Sequence, residues 1–121
     1  MFELLALMLI SQQPLQHVAQ GVASYYTVQS SGSRTASGDL LDNSLYTCAM
    51  RKEELGSYVL VVADNGKSVV CRVNDRGPYR KGRVIDLSEA AMRQLHANAG
   101  TLQVKVYRID WNGLLSPFKE G

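Results

Sequence analysis

This chain has little of what commits a sequence to metal, nucleic-acid or membrane work. Its 121 residues include only two cysteines and two histidines. None of these falls at metal-ligand spacing, so neither a metal site nor a cofactor is expected. The formal net charge is +2, without a block of like charges. That removes the basic field that nucleic acid would require, and +2 by itself does not select another partner. The apolar stretch at residues 2–10 is interrupted only by Glu3 and is too short to span a bilayer. The length allows one domain. A hydrophobic content of 45% is ordinary for a globular protein with a modest core.

Residues 2–10 have the length of the apolar region of an export signal. No Lys or Arg precedes them, and no small-x-small cleavage site stands before Gly21. A signal or anchor-like segment with a polar linker is expected over residues 1–20, and a tail over 111–121. No cysteine follows the apolar run, so lipid attachment is not expected.

Between these ends the pattern is mostly β. Residues 21–27 read as a strand and 28–38 as a Ser/Gly-rich loop. Residues 45–50 form a short apolar segment. Residues 58–63 form a continuous β-rich run, expected to be buried on both sides. Asp64-Asn-Gly66 is a strong hairpin turn, and residues 67–73 return as the next strand. A further strand covers 83–86. Ser88 reads as the N-cap of a helix reaching Ala99, with Leu87, Ala91 and Leu95 on one face and Gly100 at its end. Residues 102–109 alternate as a half-buried strand. Short strands with one helix argue for a small closed barrel rather than a βαβ layout.

The most informative stretch is Arg72-Val-Asn-Asp-Arg-Gly-Pro-Tyr79 with its continuation Arg83-Val-Ile-Asp-Leu-Ser88. Polar residues are expected to break the strand at Asn74, and Pro78 cannot donate a ladder hydrogen bond. Asp75 and Arg76 therefore stand where a strand gives way to a constrained loop, a common place for functional side chains. Cys48 and Cys71 read either as two buried thiols acting as small hydrophobes or, in an exported protein, as a disulfide.

This stretch resembles the rare lipoprotein A family, whose core phrase is a valine-rich strand, Asn-Asp-Arg-Gly-Pro, an aromatic, and Arg-hydrophobic-Ile-Asp-Leu-Ser. Gly21-Val-Ala-Ser-Tyr-Tyr26 is similar to the family's first strand, and Thr35-Ala-Ser-Gly-Asp-Leu-Leu-Asp42 to its Gly-Glu-x-Phe-Asp loop. The three blocks occur in the family's order across roughly residues 21–109. The resemblance implies a mainly all-β fold, a six-stranded double-psi β-barrel with one short helix over 21–110. It also implies lytic transglycosylase action on peptidoglycan glycan strands by an exported monomer.

In such a reaction a carboxylic acid protonates the leaving oxygen, and the sugar's own 6-hydroxyl attacks the anomeric carbon. The resemblance points to Asp75 as the catalytic carboxyl and to Asp39, in place of the family's Glu, as its helper. Arg76, Tyr79 and Arg83 are expected to contact substrate. Met50 stands at the substrate-binding position where the family has His, and a thioether transfers no proton. Asp86 reads as a structural carboxylate. Tyr25 or Tyr26 should turn into the core, since neighbours on a strand face opposite ways. Trp111 is expected to cover a barrel end. Loss of the His keeps open a binding or wall-loosening module without bond cleavage, and, more weakly, a phage accessory protein built on the same barrel.

Overall fold

Hydrophobic alternation is clearest in residues 101–109, where Val104, Val106 and Ile109 are buried while Gln103 and Lys105 are exposed. Side chains on a strand alternate between faces, so one such strand needs partners that cover a single side. The computed structural model describes residues 15–27 and 33–110. It supplies those partners as six strands: β1 (Leu15–Tyr25), β2 (Thr47–Ala49), β3 (Tyr58–Ala63), β4 (Ser68–Asp75), β5 (Arg83–Leu87) and β6 (Thr101–Ile109). One helix, α1 (Glu89–Leu95), lies between β5 and β6.

The strands close in the order β1-β5-β2-β4-β3-β6, and β6 pairs back with β1. The β1–β5 and β2–β4 pairs are parallel and the other four antiparallel. This is the closed six-stranded barrel with one short helix that the resemblance implied. Ala23, Cys48, Val59, Val61, Val73, Ile85, Leu87 and Val106 are all fully buried. Closure leaves no unpaired sheet edge between the first and last strands.

Several element boundaries differ from the sequence reading. The first strand begins at Leu15, not Gly21, because Leu15–Gln20 pairs with β6 in an antiparallel ladder. Backbone pairing there needs no apolar alternation, and most of those side chains are exposed or half-buried. At Gly21 the backbone has φ +156°, and a Cβ would lie 2.9 Å from Val84 Cγ1 and 3.1 Å from the Gly82 carbonyl oxygen. Only glycine lets β1 approach β5 this closely.

β3 buries one face, not both: Val59, Val61 and Ala63 point inward, while Tyr58 is exposed. β4 continues through Asn74 to Asp75 instead of stopping at Asn74. The turn at Asp64-Asn-Gly66 forms as expected, with the Gly66 N–H donating to the Ala63 carbonyl. Ser88 caps α1 by accepting from the Ala91 N–H at 3.2 Å. The helix ends at Leu95 rather than Ala99, because His96 Nδ1 takes the N–H groups of Asn98 and Ala99. The segment at residues 1–14, the loop residues 28–32 and Trp111 with the tail lie outside the described residues.

Candidate functional site

Two irregularities in strand register decide which side chains reach the outer surface. Between β2 and β4 the partners run Thr47 with Arg72, Cys48 with Val73, then Ala49 with Asp75, so Asn74 is an extra residue on β4. Strict alternation from buried Val73 would send Asp75 into the barrel. The bulge at Asn74 brings it instead to the outer face beside Ala49. Between β1 and β5 the register shifts after Val22–Arg83, and from there Ala23 meets Ile85 and Ser24 meets Asp86. Because Ala49 is also the partner of Asp86, Ser24, Asp86, Ala49 and Asp75 form one row across four neighbouring strands. Asp75 and Asp86 are two strand spacings apart, about 10 Å between Cα atoms. Only a methyl group stands between them.

Asp86 is half-buried and accepts from Ser24 Oγ at 3.0 Å. Burial raises its carboxyl above the usual aspartate value and the charge of Asp75 adds to the rise, while the Ser24 hydrogen bond and Arg83 pull the other way. Asp75 Oδ1 accepts from the N–H groups of Ala36 and Arg76, each at 2.9 Å, so one oxygen anchors the carboxyl. Alongside the row, the Tyr26 hydroxyl and Thr47 Oγ1 share a 2.7 Å hydrogen bond. Burial pushes the Tyr26 phenol up to about 12. Of the two adjacent tyrosines, Tyr25 is the one that packs against the core, with the Arg93 guanidinium 4.8 Å from its ring centroid.

The loop carrying Asp39 lies against the end of β4. The Ser37 N–H donates to the Asn74 carbonyl, and the Thr35 N–H to the Asp39 carbonyl. Asp39 forms an ion pair with Arg72 at 2.6 Å. The Arg72 hydrogen bond, helped by Ser37 and the Asn74 side chain, holds its carboxyl below the usual value. Asp39 and Asp75 thus meet the same loop–strand junction but face different surroundings. Asp39 lines a pocket of about 390 Å³ with Leu40, Asp42, Leu45, Thr47, Arg72 and Asn74. Asp75 is not among the residues lining it.

The other expected site residues are spread around this junction. Arg76 Nη1 donates to the carbonyls of Met50 and Glu53 at 3.1 and 2.6 Å, fixing the loop after β2. Tyr79 is 75% exposed in the loop before β5. Arg83 opens β5, and its charge acts on Asp86. Met50 is 4% exposed and joins the core cluster, although its N–H donates to the Asp75 carbonyl. No histidine replaces the missing one: His17 packs edge-on against Tyr107, and His96 caps α1. Cys48 and Cys71 are both buried and free.

Asp86 was read from sequence as structural. The signal that could have singled it out is a carboxylate at an otherwise apolar strand position, between Ile85 and Leu87.

Residues 18–106 match the family model described as "Lytic transglycolase". The chain is 39% identical over 110 residues to the endolytic peptidoglycan transglycosylase RlpA of Pasteurella multocida, covering 88% of this chain and 37% of that protein. It is 50% identical over 92 residues to the protein of the same name from Pseudomonas aeruginosa PAO1, covering 74% of this chain and 27% of that one. The chain therefore spans only about a third of the length of these relatives. Among solved structures, the Streptomyces papain inhibitor superposes with a TM-score of 0.58 at 25% identity, over 74% of this chain and 91% of that one. The apo expansin of Clavibacter michiganensis gives 0.58 at 23% identity, over 78% of this chain and 50% of the other, a likeness of fold alone.

Proposed function

Because the chain belongs to the lytic transglycolase family of double-psi β-barrels, we propose that it is an endo-acting lytic transglycosylase that cleaves peptidoglycan glycan strands to 1,6-anhydro ends. The observation that carries this reading is the row Ser24–Asp86–Ala49–Asp75, which sets two half-buried carboxyl groups on one face of the sheet, either side of the buried Ala49.

The two carboxyls divide the work according to their surroundings. Asp86, whose burial favours the protonated form, delivers its proton to the glycosidic oxygen as the bond from that oxygen to the anomeric carbon breaks. Asp75, oriented by two backbone N–H donors, takes the proton from the sugar's 6-hydroxyl as that oxygen closes on the anomeric carbon. No water enters the products. This differs from a single Asp75 acting as acid and then base. Arg83 and Tyr79 border the path of the strand, and Asp39 with Arg72 forms the adjoining wall. Met50 acts through its backbone bond to Asp75, since its side chain is in the core.

The protein works outside the cytoplasm as a monomer. A signal or anchor-like segment within residues 1–20 directs that export.

A second reading is favoured by one specific observation. The row contains no imidazole, because Met50 is buried and His17 and His96 are engaged elsewhere. On that reading the barrel binds glycan without cutting it. Digestion of peptidoglycan with and without stem peptides, read by mass spectrometry, separates the two. Anhydro-muropeptides support the enzyme, and glycan binding without any released product supports the binding module.

A further inference from the structure

Glu53 stands in the loop after β2 among exposed Arg51, Lys52 and Glu54, yet it is itself only 8% exposed. A carboxylate taken out of water needs a partner. Its partner is not an adjacent cation but Arg108 on β6, 55 residues further along the chain. Arg108 grips it with two nitrogens, Nε to Oε2 at 2.8 Å and Nη2 to Oε1 at 2.9 Å, and gives Nη1 to Gln16 Oε1 at 3.0 Å. In register, Arg108 is level with Val59 on β3 and Gln16 on β1. Register partners share a face, and fully buried Val59 marks that face as the inner one. The fork therefore lies at the barrel end where β4 runs out to Asp75.

An ion pair of this kind is a weak source of stability, because the cost of burying the carboxylate offsets most of the attraction. What a two-bond fork supplies is orientation. With Glu53 held, the loop presents the Met50 and Glu53 carbonyls to one nitrogen of Arg76. The Arg76 N–H in turn donates to Asp75 Oδ1, and the Met50 N–H to the Asp75 carbonyl. A continuous chain of bonds thus runs from β6 through Glu53 and Arg76 to Asp75, and it reaches Asp75 at both side chain and backbone.

We propose that Glu53, fixed by Arg108, is a positioning residue for the Asp75 carboxyl. This rests on the glycan-cleaving reading of the row and deepens it. Glu53 itself meets no substrate. It aims the group that takes the 6-hydroxyl proton, a transfer in which a displacement of about 1 Å costs on the order of 100-fold in rate.

The test uses the whole chain with Glu53→Gln, with Arg108→Lys, and with Glu53→Leu and Arg108→Leu together. The amide removes the charge, and the lysine keeps a charge but loses the fork. The paired leucines remove the buried ions altogether and should leave the urea midpoint at or above that of wild type. All are expected to lower kcat for release of anhydro-muropeptides by about 10–100-fold with KM unchanged. A second readout needs no activity. The Ala36 N–H, on a different loop, also donates to Asp75 Oδ1, so the NMR amide proton shifts of Ala36 and Arg76 together report whether that carboxyl has turned. Both should move upfield in every variant. Wild-type kcat in the paired-leucine variant, a change in KM alone, or an unmoved Ala36 signal overturns the assignment and leaves the transglycosylase reading standing. Wild type that releases no anhydro product from any glycan removes the cleavage reading instead. In that case a moved Ala36 signal still supports Glu53 as the residue that orients Asp75, and an unmoved one overturns it.

Discussion

Asp75 and Asp86 come from strands that do not pair with each other, yet each is the register partner of the same residue, Ala49 on β2. β2 is only three residues long. It serves as the spacer that holds two carboxyl groups at a fixed separation on the barrel's outer face.

Replacing either carboxyl by its amide should remove the chemistry and leave the fold. Asp86→Asn and Asp75→Asn are each expected to lower release of anhydro-muropeptides by about 10²–10⁴-fold, the usual scale for losing a general acid or base. Circular dichroism should be unchanged. If Asp75→Asn is inactive while Asp86→Asn retains full rate, the proton donor has been misassigned.

The carboxyls should leave opposite marks on stability against pH. Asp86 is raised in the folded chain, so the native state holds that proton more tightly than the unfolded chain does. Its contribution is most favourable at and below the usual aspartate value of 3.8 and declines as pH rises through the folded value. Asp39 is lowered, so its contribution is present above 3.8 and is lost as pH falls through the folded value. Urea unfolding across pH 2–7 should show a decline in wild type, relative to Asp86→Asn, as pH rises out of the acid range. The Asp39→Asn comparison should have the opposite slope and weaken with added salt, because the pair with Arg72 is partly solvent-exposed.

Gly21→Ala should destabilise the barrel by about 1–3 kcal/mol, since the added methyl meets Val84 and the Gly82 carbonyl where β1 passes β5. Chemical denaturation measures this directly. Gly66→Ala, in an open turn where nothing lies within 4 Å of the new methyl, should suffer only from its positive φ and cost about 1 kcal/mol.

The cysteines should behave as core residues. Both are buried and free, and burial pushes the Cys48 thiol well up. A thiol-reactive dye added to the folded protein at neutral pH should react slowly, and unfolding should release two thiols per chain. An intact mass two hydrogens short, restored by reductant, would instead establish the disulfide considered from the sequence.

Much of the site was legible in one strand at a time. Pro78 and the polar run mark the loop that begins near Asp75, Asp64-Asn-Gly66 marks the hairpin, and Ser88 marks the helix start. These signals are local, because each depends on a residue's own backbone preference or on a bond to a near neighbour. The end of α1 was not legible, because it depends on His96 turning its ring back onto two N–H groups. Leu15–Gln20 was not either, because polar side chains conceal a strand whose backbone is satisfied by β6, some ninety residues away.

By itself, then, the sequence determined the barrel class and the phrase that carries Asp75, since alternation and turn chemistry are written within each segment. Only the tertiary structure decided that Asp75 faces outward, that Asp86 stands beside it across Ala49, and that Asn74 is buried. A bulge is a relation between two strands, and one extra residue on one of them reverses every inward or outward assignment that follows.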